Sequence, residues 1–210
     1  QRKQGSAAVH AGQIWARPVG PVEVLPGATL EASLMDAQGR FNLNNLTTAD
    51  GVINDKAVEV FRRLLVNVGL EGDWAPSMAD WIDTDLNPAG AGAEDAVYSS
   101  ETPPYRPPNR VITSPTEMLA LKDFGNERYA KIAAYITALP RGTPINLCTA
   151  SGALLDALSN QQQWVGAEEA LQRNRSGKCF PDKAACEATV APQSLAELSA
   201  ALGWGETSDW

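Results

Sequence analysis

A single histidine, His10, three cysteines and the lack of any long apolar run set the first limits on this 210-residue chain. One histidine leaves nothing from which to build a Ser/His/Asp or Cys/His centre or a histidine-rich zinc site. No stretch approaches the about 18 consecutive apolar residues of a membrane helix, and the opening residues QRKQGSAAVHAG carry no hydrophobic signal core. Basic residues are also short. Seventeen Lys and Arg against 25 Asp and Glu give a net charge of -8, which disfavours a broad footprint for nucleic acid or an anionic membrane and points to proteins or cations as partners. C-x-x-C pairs, G-x-S-x-G and G-x-x-x-x-G-K-[ST] are absent, which removes zinc ribbons, thioredoxin-like redox chemistry, lipase-type nucleophiles and P-loops. What is present is a globular composition, 44% hydrophobic and 20% charged, enough for one or two domains with a real core.

Of the cysteines, Cys179 and Cys186 bracket the loop KCFPDKAAC and form a candidate disulfide in an oxidising compartment. Closing so short a loop would contribute about 2 kcal/mol by the chain-entropy estimate. Two reduced surface thiols are the alternative. Cys148 follows the apolar run 145–147 and is expected to be buried.

Residues 13–46 carry β signals. Leu30, Ala32 and Leu34 alternate with Glu31 and Ser33, the period of a half-buried strand; residues 36–39 (DAQG) read as a turn, and Phe41 and Leu43 alternate with Asn42 and Asn44. The spacing predicts an antiparallel hairpin across that turn, with Pro18, Pro21 and Pro26 confining earlier segments to edges or loops. Beyond residue 54 the period becomes helical. Asn54 caps a predicted helix bearing Val58, Phe61, Leu65 and Val68, with Gly69 as its stop. Ser114, Pro115 and Glu117 form a cap, first-turn proline and box-closing acid. Further helices are predicted over 126–138, after Thr149 with Leu154, Leu155 and Leu158, around 164–171, and from the capping box at Ser194 and Glu197 to Gly203.

Two apolar/Asn alternations, FNLN at 41–44 and INLC at 145–148, each stand ahead of a predicted helix, where Asn can hydrogen-bond turn backbone. Similar entries open helix-hairpin-helix units, some of which bind DNA phosphates, so a DNA-binding module is one alternative function. No glycine-rich, lysine-flanked hairpin is present to hold a phosphate.

Residues 71–105 hold eight acidic side chains, Glu71, Asp73, Asp80, Asp83, Asp85, Glu94, Asp95 and Glu101, and no Lys or Arg, whereas the rest of the chain is balanced at 17 acids and 17 bases. Asp83, Asp85, Asn87 and Glu94 fall at relative positions 1, 3, 5 and 12, the oxygen-ligand spacing of an EF-hand loop. Pro88 stands where the EF-hand needs glycine, and the segment ahead of Pro103 is too short for an exit helix. The expectation is therefore an irregular oxygen-lined loop. Two carboxylates at about 4 Å repel by roughly 4 kcal/mol at an effective dielectric near 20, so several converge only around a cation or with protons taken up. Hard oxygen ligands favour calcium over zinc or copper. A solvated acidic loop and a carboxylate-pair hydrolase are the alternatives.

The ordered set FNLNNL at 41–46, DWIDTD at 80–85, GAEDAVY at 92–98, PPYRPPN at 103–109 and INLCTA at 145–150 resembles the K-type minor pseudopilins of bacterial type II secretion systems, general secretion pathway protein K. The resemblance implies an α+β fold: a pilin-like small antiparallel sheet with a large inserted all-helical domain of the helix-hairpin-helix or SAM-like kind. The expected layout is a remnant over 1–12, a β-rich pseudopilin part over 13–46, the helical insertion over 47–205 with its acidic metal loop at 71–105, and the start of a closing strand at 206–210. It also implies no enzymatic activity, calcium as the metal, and Asp83, Asp85, Glu94 and Asp95 as ligands together with Asn87. Trp81, Tyr98, Tyr105 and Arg106 become scaffold residues around that loop. The implied role is a calcium-binding subunit at the tip of the periplasmic pseudopilus. There it would nucleate and cap the filament with the I-type and J-type minor pseudopilins, with the H type and the major pseudopilin as further partners. Family members begin with a hydrophobic membrane helix, so the expectation is a piece of a protein anchored in the inner membrane. The resemblance also raises a disulfide from Cys148 in place of one member of the Cys179/Cys186 pair.

Overall fold

Buried asparagines organise the centre of the molecule, which a computed structural model describes for residues 9–158. Asn42, Asn44 and Asn45 are each at most 3% exposed, and their side-chain amides take up backbone groups from segments about a hundred residues away. Asn44 donates to the carbonyls of Ile112 (3.0 Å) and Leu139 (2.8 Å) and accepts from the Ile112 amide (2.9 Å). Asn42 accepts from Leu139 N (3.0 Å), and Asn45 accepts from Gly142 N (2.9 Å) while donating to Thr143 O (3.0 Å). Buried backbone polar groups must be paired, so an Asn44→Ala chain would leave three of them stranded, at about 1–3 kcal/mol each. The expectation that these asparagines hydrogen-bond turn backbone holds, and their reach extends to distant loops. In the second motif Asn146 accepts from Cys148 N (3.0 Å) and donates to Asp36 Oδ2 (2.8 Å).

Helix α1 (Asp55–Asn67) starts where the sequence places it, with Asn54 Oδ1 accepting from Ala57 N (3.4 Å). Its buried face of Ala57, Val60, Phe61, Leu64 and Leu65 follows the helical period and packs on α2 (Trp74–Ile82) and α5 (Gly152–Leu158). Phe61 stacks on Phe41 with ring centroids 5.0 Å apart, joining the Asn-rich segment to the same core. Residues 115–120 form a short 3-10 helix, with Ser114 Oγ accepting from Thr116 N and Glu117 reaching back to Thr113 N (3.0 Å).

Several elements differ from expectation. The antiparallel hairpin is made by β1 (Val19–Leu25) and β2 (Ala28–Ala32), turning at Pro26 and Gly27, and not across residues 36–39. Gly27 has φ 79°, the conformation a Pro-Gly turn requires. All residues of β1 and β2 are exposed, so the alternation at Leu30 and Ala32 is not a half-buried face among the described residues. β3 (Phe41–Asn42) pairs instead with β4 (Ile136–Thr137), in parallel. That pairing also shortens the helix predicted over 126–138: α4 spans Gly125–Ile132, because Tyr135 O accepts from Phe41 N (2.8 Å) and Ile136 lies in register with Phe41. Tertiary pairing overrides the local period. The α5 cap is Ser151, whose Oγ accepts from Leu154 N (3.3 Å), since the Thr149 hydroxyl is spent on Asp36 Oδ2 (2.7 Å).

The whole is a mixed helix and small-sheet fold. No helix among the described residues is long and apolar enough to cross a membrane. Cys148 is buried, as expected, while Cys179 and Cys186 and any disulfide between or with them lie outside the described residues. The helices predicted around 164–171 and 194–203 also lie outside the described residues.

Candidate metal centre

Helix α2 was not expected from the sequence, yet it builds the site. Ala75, Met78, Ala79, Trp81 and Ile82 are buried, and the last turn carries Asp80 inward with them. Asp83 caps the helix in extended conformation, so the chain leaves α2 with one carboxylate in its last turn and another just past it. Helix C-termini are the negative end of the backbone dipole, which makes this a costly place for acids. After a loop the chain returns with Glu94 as the residue preceding the four-residue helix α3 (Asp95–Tyr98).

Ligand-capable oxygens of Asp80, Asp83 and Glu94 lie within 4.8 Å of one another, and the three residues are only 0%, 1% and 4% exposed. Asp80 is held in place: Ala89 N donates to both its oxygens (3.2 Å), and Gly92 passes so close that an added Cβ would collide with Asp80 Oδ2. Both oxygens of Asp83 and both of Glu94 are buried and accept no hydrogen bond.

Burial, followed by the charge of Asp85 and then Asp80, pushes the Asp83 carboxyl up to about 7; the Asp85 backbone amide nearby offsets this only in part. Glu94 also rises to about 7, from burial first and then from Asp83, Asp80, Asp85 and Asp95. Asp80 rises to about 6 through burial, against which the amides of Ala89 and Ala93 work. Burial and mutual repulsion both work against the ionised forms, a cost that a positive charge among them would offset. Three converging carboxylates, two of them with both oxygens unpaired, suit a hard cation. Oxygen donors without His or Cys match the calcium, magnesium and manganese class.

Of the residues expected as ligands, Asp83 and Glu94 meet. Asp85 and Asp95 lie outside the three-carboxylate cluster. Asp85 is exposed, its Oδ1 accepting from Asn87 N (2.7 Å) and its carbonyl accepting from Asn109 Nδ2 (2.9 Å). Asn87 is exposed, and Asp95 faces Arg106 at 3.4 Å on the surface. Asp80 is the member that sequence reasoning left out of the ligand set. Its signal was the three-residue step from Asp80 to Asp83, which on a helix puts both acids on one side. That step became readable only with α2 recognised.

Of the expected scaffold residues, Trp81, Tyr98 and Tyr105 pack together, whereas Arg106 is a surface side chain paired with Asp95. Trp81 and Tyr98 meet edge to face at 5.2 Å, Tyr98 and Tyr105 lie 5.2 Å apart, and Tyr105 Oη donates to Ala120 O (2.8 Å). Thr84 N donates to Gly51 O (3.1 Å), tying the acidic loop to the entry of α1.

Fold and site together define a helical module with a small sheet and a buried carboxylate cluster. Residues 39–141 match the family described as type II secretion system (T2SS), protein K. The type II secretion system protein K of Pseudomonas aeruginosa is 38% identical over 71% of this chain and 46% of its own length. The protein of the same name from Pectobacterium carotovorum is 33% identical over 80% of this chain and 55% of its own. A chain in the crystal structure of the GspK-GspI-GspJ complex of enterotoxigenic Escherichia coli superposes with a TM-score of 0.71 at 27% identity, over 92% of this chain and 71% of that one. The chain belongs to the type II secretion system protein K family. It spans about half the length of the two relatives named. Neither the DNA-binding nor the hydrolase alternative gains support from these matches.

Proposed function

We propose that this chain is the helical part of a minor pseudopilin at the tip of the type II secretion pseudopilus, and that a calcium ion ties its acidic loop. The observation that carries the calcium assignment is the meeting of Asp80, Asp83 and Glu94 with four carboxylate oxygens left unpaired. These three residues would hold the ion, which supplies the positive charge that burial denies them. Asp85 would add to the local field from outside. The role is mechanical: Asp80 and Asp83 fix the end of α2, Glu94 fixes the start of α3, and the loop between them becomes rigid. The helical bulk then blocks a further subunit from stacking above it, so the filament is nucleated and capped at this point.

The partners on this reading are the I-type and J-type minor pseudopilins, in keeping with the complex in which the structural neighbour occurs. The H type and the major pseudopilin are further contacts. The rest of the protein would supply the pilin-like sheet and an inner-membrane anchor, leaving this part in the periplasm. The test is a thermal melt with calcium and with chelator. Calcium raises the melting temperature of the unaltered chain, and a chain carrying Asp83→Ala and Glu94→Ala shows no calcium-dependent shift. Equal melts of the unaltered chain in both conditions would reduce the loop to solvated charge.

A further inference from the structure

Two hydrogen-bond donors on the elements that carry the carboxylates are as unpaired as the Asp83 and Glu94 carboxylates. Tyr98 is 0% exposed and its Oη has no partner, and Trp81 Nε1, on a ring whose centroid lies 5.2 Å from that of Tyr98, has none either. A buried phenol without a partner is costly, because it has given up water and gained nothing. Both rings are fixed. Trp81 lies between Asp80 and Asp83 in the last turn of α2, and Tyr98 lies one helical turn beyond Glu94, with its backbone amide on Glu94 O (3.5 Å). Donors and acceptors left over in one dry region are complementary: four oxygens that accept nothing, and two groups that donate to nothing.

The members differ in what they still need. Asp80 already accepts from Ala89 N, whereas Glu94 accepts from no group. An ion shared by three carboxylates leaves each with an oxygen, or a lone pair, turned away from it. Outer donors to that side fix the ligand's orientation, and their loss typically costs about 10- to 100-fold in metal affinity. A phenol keeps its proton through the neutral range, so the Tyr98 hydroxyl is available as a donor.

We propose that Tyr98 is the positioning residue of the metal centre: with the ion bound, its hydroxyl donates, directly or through one water, to the Glu94 carboxylate oxygen turned away from the ion. This rests on the calcium assignment above and adds a residue to it. Tyr98 itself does not touch the ion. Its ring completes the Trp81 and Tyr105 cluster, and its hydroxyl sets the angle at which Glu94 enters the site.

The test is Tyr98→Phe in the full 210-residue chain, which keeps the ring and removes only the oxygen. Calcium affinity by calorimetry should fall at least about tenfold. The metal-free melting temperature should stay level or rise, because a stranded hydroxyl has been removed. A purely packing role would move neither quantity. A role in some other hydrogen bond would lower the metal-free melt. In the unaltered chain, the Tyr98 hydroxyl proton should be protected from exchange with water, as seen by NMR, only when calcium is present. Equal calcium affinity of Tyr98→Phe and unaltered chain, or no calcium-dependent protection, overturns the proposal while leaving the metal site standing. An unaltered chain that takes up no calcium overturns both.

Discussion

Two sets of acids share one loop and live in different solvents. Asp80, Asp83 and Glu94 are at most 4% exposed and converge, whereas Asp85 and Asp95, one or two residues away, face water or a surface arginine. Position along the chain does not separate them; burial does. The converging acids need a counter-charge that no neighbouring side chain provides, and the outer acids are screened by water and by Arg106. A loop dense in carboxylates thus contains a small dry site and a large wet rim.

The sharpest way to break this contrast is to remove the dry set. With calcium at about 100 times its dissociation constant, the unaltered chain should gain about 2.7 kcal/mol, or about 5–10 °C in melting temperature. Asp83→Ala with Glu94→Ala should abolish all of it in the same melt.

Next in size is the pH dependence of the metal-free chain. Asp83 and Glu94 bind protons more tightly in the folded state, where their values stand at about 7, than at the ordinary 3.8 and 4.5 of the unfolded chain. Their contribution is therefore full below about pH 4 and is lost as pH rises through about 7, with a slope of up to about 1.4 kcal/mol per pH unit for each acid in that window. Denaturant melts in chelator should show this fall, and Asp83→Asn should flatten it. Calcium reverses the slope, since the ion binds the deprotonated acids.

How much of this contrast could be read in advance depends on what each residue's signal was. Asn54 and the apolar steps through Phe61 and Leu65 are local, and α1 follows from them. The charge imbalance of 71–105 is local too, and it marks the segment in which Asp83 and Glu94 come together. Asp80 was hidden because α2 is buried over almost its whole length and so lacks the polar face that gives a helix its period. Asp85 and Asn87 fitted an EF-hand spacing, but that spacing presupposes the EF-hand turn, which Pro88 does not make. The parallel pairing of Phe41 with Ile136 joins residues far apart in sequence, and no local pattern encodes it.

Gly92→Ala sharpens the boundary of the dry set. A Cβ there would collide with Asp80 Oδ2, so the carboxylate must swing away and calcium affinity should fall about tenfold or more by calorimetry. The smallest effects belong to the wet rim. Asp85→Asn and Asp95→Asn should each change calcium affinity by less than about fivefold, within the about 1 kcal/mol expected of exposed charges, and an effect as large as that of Gly92→Ala would erase the distinction.

Proton release on calcium binding bears most directly on whether the buried carboxylates exchange protons for an ion. Calorimetry at pH 6 in buffers of different ionisation enthalpy should show about two protons leaving per calcium bound, since Asp83 and Glu94 are mostly protonated there, with the number falling towards zero by about pH 9. Calcium binding without proton release at pH 6, or with a release that does not change with pH, would mean that the ion sits elsewhere than among Asp80, Asp83 and Glu94.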